Sequence, residues 1–273
     1  MPENKVKSPF LPAKKQDKKT KVLIYGDSGT GKTVTSLFVG SKYGKIALFD
    51  LDGGADLYGN RYNFSVLKST NLKEIKEGIS YIVQNPKEFQ TIIIDPLTIY
   101  WDLVQRYWSD VFIERNKGHK ANKYEFYDFG PKEWAVIKTS YKNIFNDIIP
   151  LDMHIICTAR ETVKMKRMGN EYVSDGVKYD AEKNTHYSFD TVVKLYKNQE
   201  KHMAYSDKDR TSKMPNVPFE MNKKNILKYF IDNSREEGGK DSEEKIGKQI
   251  TKMKTNTATN ITTNTTTVKK IKK

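Results

Sequence analysis

Short, unbroken apolar runs alternate with amphipathic stretches along the first half of the chain. The run at residues 21–25 leads into a glycine loop and a helix-like stretch at 32–42, and a second run covers 45–50. In the helical stretch 72–84, Leu72, Ile75, Ile79, Ile82 and Val83 recur at the spacing of one helix face. The run Thr91-Ile92-Ile93-Ile94-Asp95, helices near 97–115 and 131–149, and a run at 153–158 complete this part. Runs without polar alternation fit strands covered on both faces, and the intervening helices supply the crossovers that parallel pairing needs. The expected fold is α/β, a mainly parallel sheet with helices on both faces.

After residue 160 the texture changes to shorter alternating segments: Glu171-Tyr172-Val173, Val177-Lys178-Tyr179, Thr191 to Tyr196, and Lys201 to Tyr205. These predict C-terminal antiparallel strands that extend the sheet. Met221 to Asn233 predicts a closing helix. The expected organisation is a flexible basic arm at 1–20, one domain at 21–234, and a polar and basic tail at 235–273 without periodicity, Thr/Asn-rich from 251 to 267.

Charge adds a class of partner. Lys and Arg total 48 against 34 acids, a net charge of +14 with a pI near 9.4, which favours polyanions such as nucleic acid. The single cysteine, Cys157, excludes a disulfide framework and reads as a buried strand thiol. His119, His154, His186 and His202 lack the spacing of zinc ligands. The N-terminus has no apolar core of a signal peptide, and no run of about eighteen apolar residues occurs, so a cytosolic protein without membrane attachment is expected.

The strongest chemical signal is Gly26-Asp27-Ser28-Gly29-Thr30-Gly31-Lys32-Thr33, a strand–loop–helix phosphate loop. Its glycines let successive N–H groups face a phosphate at the positive end of the following helix. Lys32 would reach the β- and γ-phosphates of ATP, and the Thr33 hydroxyl would ligate Mg²⁺. Asp95, at the end of a buried run, is the candidate carboxylate for the same metal. The acidic turn Phe49-Asp50-Leu51-Asp52-Gly53-Gly54 offers a base for water, Asp52 first and Asp50 second. Lys208 and Arg210, two residues apart on an extended segment, point the same way and could neutralise charge on a transferring phosphoryl group.

Together, Gly26 to Thr33, Phe49 to Asp56, Ile92 to Leu97, Ile155 to Arg160 and Lys208 to Thr211 resemble the RecA-like P-loop ATPases, and within them the phage Sak group of single-strand annealing ATPases. The resemblance spans roughly residues 20–232. It implies that Asp52 occupies the catalytic carboxylate position, usually Glu, and that Thr158 or Arg160 senses the γ-phosphate. It also implies that Lys208 and Arg210 reach across a subunit interface in a ring or filament. Nucleic-acid loops would fall at Lys164-Met165-Lys166-Arg167-Met168 and within Arg115 to Phe129, where Lys120, Lys123 and Tyr124 combine cations with an aromatic ring. The function implied is an ATPase of phage-type recombination acting on single-stranded DNA, with a single-strand-binding protein as a possible partner and the host cytosol as its site. The alternatives are a DnaB-like helicase or packaging motor, a small-molecule kinase, and a nucleotide-gated binding module of low turnover.

Overall fold

The computed structural model describes residues 19–116, 128–169 and 171–231. Lys120, Lys123, Tyr124, most of the N-terminal arm and the C-terminal tail lie outside the described residues. Strand β1 (Lys21–Gly26) enters the glycine loop and α1 (Lys32–Ser41), and β2 (Ile46–Asp50) follows. A 3-10 turn at Ala55–Tyr58 leads to β3 (Phe64–Lys68), α2 (Leu72–Gln84) and β4 (Thr91–Asp95). Helices α3 (Leu97–Asn116) and α4 (Pro131–Ile148) precede β5 (His154–Met168), β6 (Glu171–Tyr179), β7 (Thr191–Asn198) and β8 (Lys201–Asp209). The short β9 (Phe219–Glu220) and α5 (Lys223–Ile226), continued by a π turn at Leu227–Ile231, close the described chain.

The strands form one sheet in the order β3-β2-β4-β5-β1-β7-β8-β9, with β6 paired to the far half of β5. Strands β3, β2, β4, β5, β1 and β7 are mutually parallel, whereas β8, β9 and β6 run antiparallel to their neighbours; the segment Thr191 to Tyr196, expected to be antiparallel, is β7, which is parallel to β1 and antiparallel only to β8. Because β5 passes between β1 and β4, the loop strand and the Asp95 strand are one strand apart. Their carboxyl ends lie on one edge of the sheet, where ligands bind in open α/β folds.

The continuous apolar runs are explained by burial on both faces. Leu23, Tyr25, Phe49, Ile92, Ile94 and Ile155 face α2, α3 and α4, while Val22, Ile24, Leu48, Ile93 and Ile156 face α1 and the closing helix. The predicted stripe Leu72, Ile75, Ile79 and Ile82 is the buried face of α2, which starts where the Asn71 side chain accepts from the Lys73 N–H. Gly78 brings α2 close to the sheet, since a Cβ there would lie 2.8 Å from both Leu67 Cδ1 and Phe49 Cε1. Helix α4 starts at Pro131, and the Glu133 carboxylate accepts from the Gly130 N–H at 2.9 Å. Tyr100 is fully buried and Trp101 packs edge-on against Tyr141, so these two are packing residues, whereas Tyr107 is exposed.

Two further expectations change. Residues Lys164 to Met168 are strand, not loop: β5 continues far past the parallel sheet and pairs with β6 as a two-stranded ribbon. The closing helix starts at Lys223, two residues later than expected, and widens into a π turn at the end of the described residues.

Candidate phosphate and metal site

The glycine loop is shaped by its neighbours. A side chain at Gly26 would strike the carbonyl of Leu195 on β7, so only glycine lets β1 end against that strand. Gly31, with φ of 91°, turns the chain into α1, whose first N–H groups and dipole then face the loop. The Thr30 hydroxyl and the Lys32 ammonium both donate to the Asp27 carbonyl, at 2.8 and 2.7 Å, and the Ser28 N–H donates to the Asp27 carboxylate at 2.7 Å. Burial lowers the Lys32 pKa, and the charges of Asp95 and Asp27 partly offset this.

Asp95 ends β4 almost wholly buried. One carboxylate oxygen accepts from the Thr33 hydroxyl at 2.6 Å, and the other accepts from the Thr158 hydroxyl. Burial raises its pKa, while those two hydrogen bonds act against the rise. The register explains the meeting: Ile94 pairs with Cys157, which places Thr158 beside Asp95 on the intervening strand. Thr33 and Asp95 thus present two hard oxygen donors side by side at the helix terminus, a donor set that fits Mg²⁺.

The acidic turn separates into two roles. Asp50 is buried, and its two oxygens accept from the Gly53 and Ala55 N–H groups at 2.9 and 3.1 Å. This carboxylate holds the turn closed and is committed to its backbone N–H groups. Asp52 is exposed toward the cleft, with one oxygen 4.0 Å from the Arg160 guanidinium. Arg160 is the residue where β5 leaves the parallel sheet, and its N–H donates to the Thr98 hydroxyl at 2.9 Å. Thr158 and Arg160 therefore do different things: Thr158 holds Asp95, and Arg160 opens onto the cleft.

The cleft over the loop has a volume of about 940 Å³. Lys32, Thr33, Asp52, Asp95 and Arg160 line its polar part. Phe38, Tyr58, Tyr62, Met221 and Ile226 line the rest, an aromatic and apolar wall suited to a nucleobase. Sequence spacing missed this wall because it is assembled from α1, the 3-10 turn and the β9–α5 junction. His202, which lines the same cleft, was missed for a similar reason.

Lys208 and Arg210 lie elsewhere. Lys208 pairs in register with Val192, and Val22 with Thr191, so the pair sits at the edge of the sheet opposite the phosphate loop. The Lys208 ammonium donates to the carbonyls of His186 and Phe189 at 2.7 and 2.6 Å, and Arg210 stands 3.7 Å from Asp190. Desolvation lowers the Lys208 pKa. On the ribbon, Lys164 pairs with Asp175 at 2.7 Å, and Lys166 and Arg167 are exposed.

A family model described as an AAA domain matches residues 18–215, from the start of the sheet through Lys208 and Arg210. The chain belongs to that AAA-domain family. It is thus an AAA-type P-loop ATPase by family, in agreement with the sheet order and the loop geometry. No curated protein matches the chain in sequence. Among the described residues, no helix of this AAA-domain protein is long and apolar enough to cross a membrane.

Proposed function

We propose that the protein is a Mg²⁺-dependent ATPase that acts on single-stranded DNA as an annealing or strand-exchange mediator. The observation that carries the ATPase reading is the convergence of the Thr33 and Thr158 hydroxyls on buried Asp95 beside the glycine loop. Thr33 and Asp95 would hold Mg²⁺, which when bound neutralises charge on the β- and γ-phosphates. The loop N–H groups cradle the phosphate chain. Lys32 exchanges the Asp27 carbonyl for a phosphate oxygen. Asp52 accepts the proton of the water attacking the γ-phosphorus, and Arg160 swings from Asp52 to meet the charge that builds on the transferring group.

For the nucleic-acid part, support comes from the net charge of +14 and from Lys164, Lys166 and Arg167 on the ribbon that begins at Arg160. The distance of Arg210 from its own phosphate loop fits a contact with the nucleotide of a second copy, so self-association belongs to the proposal. Filter binding of single-stranded DNA with and without Mg-ATP tests it. ATP-dependent retention is expected; equal retention in both conditions refutes the coupling of DNA binding to ATP, and no retention in either refutes the DNA role, while both leave the ATPase untouched.

A further inference from the structure

The phosphate loop is held from outside as well as by its own residues. Strand β8 begins beside it, and His202, the second residue of that strand, lies with Nδ1 3.1 Å from the Thr30 carbonyl oxygen. The backbone of His202 is fixed in turn, since its carbonyl accepts the Met221 N–H at 2.8 Å. A carbonyl only accepts, so Nδ1 carries the proton and the imidazole is the donor. In a trans peptide the C=O and the following N–H point in opposite directions. Drawing the Thr30 carbonyl toward β8 therefore turns the Gly31 N–H the other way, away from the imidazole. A Cβ on Gly31 would lie 3.8 Å from the same Nδ1, so the imidazole stands beside the turn. His202 also lines the cleft.

We infer that His202 is a positioning residue for nucleotide binding: its Nδ1–H fixes the Thr30–Gly31 peptide so that the Gly31 N–H is preset to receive a phosphate oxygen. The inference rests on the reading of the cleft as an ATP site. Preorganisation of this kind acts on nucleotide affinity more than on the chemical step, because the peptide must be oriented before any phosphate is bound. The side chain is exposed, so its removal leaves the core intact.

Three variants of the full chain separate the atoms involved. His202→Asn places an amide donor where Nδ1 stands, His202→Gln moves the amide toward Nε2, and His202→Ala removes both. Each is titrated with ATP and Mg²⁺ by calorimetry and assayed for turnover. His202→Ala and His202→Gln are expected to weaken ATP binding about fivefold to tenfold, the worth of one net hydrogen bond, with KM raised alike and kcat within about twofold. His202→Asn is expected to bind within about twofold of wild type. Equal affinity of Ala and wild type overturns the inference, as does an Asn variant no better than Ala. Thermal melts of the unliganded variants within a few degrees of wild type assign the losses to the loop. Absence of ATP binding by the wild type overturns the cleft reading itself, a failure distinguishable from that of His202 alone.

Discussion

Replacing Asp95 by Asn should make the unliganded protein more stable while crippling it. The carboxylate is buried, and burial raises its pKa, so its ionised form is a cost to the empty fold at neutral pH. Asn has the same shape. Its carbonyl accepts from one threonine hydroxyl, and its amide donates to the other, because a hydroxyl serves in either sense. Exchanging two charge-assisted bonds for neutral ones loses about 2 kcal/mol in total. Relieving the desolvation of a buried carboxylate returns several kcal/mol. The balance is a gain of about 1–3 kcal/mol, which raises Tm by about 2–4 °C for each kcal/mol in a domain of this size. The sign with pH follows. A folded pKa above the ordinary 3.8 stabilises below that value and loses the contribution as pH rises through the folded value, so the advantage of Asn opens above pH 3.8. With Mg-ATP in excess the gap should narrow, since wild type gains about 2.7 kcal/mol at a hundredfold excess over Kd and the variant gains less. Differential scanning fluorimetry with and without Mg-ATP measures both. A variant that melts lower than wild type without nucleotide, or gains as much from Mg-ATP, would refute the reasoning.

The two acids of the turn should part company: Asp52→Asn lowers turnover about a hundredfold or more with stability nearly unchanged, whereas Asp50→Ala orphans the Gly53 and Ala55 donors and costs about 2–4 kcal/mol in urea denaturation. Gly78→Ala should destabilise by about 1–3 kcal/mol despite the better helix propensity of alanine, because its Cβ meets Leu67 and Phe49; an unchanged urea midpoint would contradict this. His154 stacks on Tyr43 and accepts the Thr20 N–H on Nδ1, and burial, reinforced by the charge of Lys19 and opposed by that of Asp152, lowers its pKa to about 4. Its neutral form is therefore favoured by folding. The contribution is complete above the ordinary 6.5 and is lost as pH falls toward 4, a slope that urea titrations should find absent in His154→Phe.

What the chain discloses by itself follows from how local each signal is. The glycine loop, β4 and α2 are contiguous patterns, and each appears within a residue of its expected place. Strand β3 escaped because it is a half-exposed edge of five residues, without the double burial that marks its neighbours. Asp50 and Asp52 both read as candidate bases along the chain, and only the fold of the turn shows that one caps backbone N–H groups while the other faces the cleft. Alternation in β5 past Arg160 is blurred by exposure on both faces of the ribbon, where Val163 and Met165 lie as open as Lys164. The aromatic wall and His202 depend on contacts between distant segments, which no periodicity encodes.

The most direct test of the account is steady-state ATP hydrolysis by the full chain with Mg²⁺, with and without single-stranded DNA, alongside Asp52→Asn. Turnover that requires Mg²⁺, rises with single-stranded DNA and collapses in Asp52→Asn is the predicted result. Turnover of Asp52→Asn equal to wild type, or none by wild type with DNA and Mg²⁺ present, would contradict it.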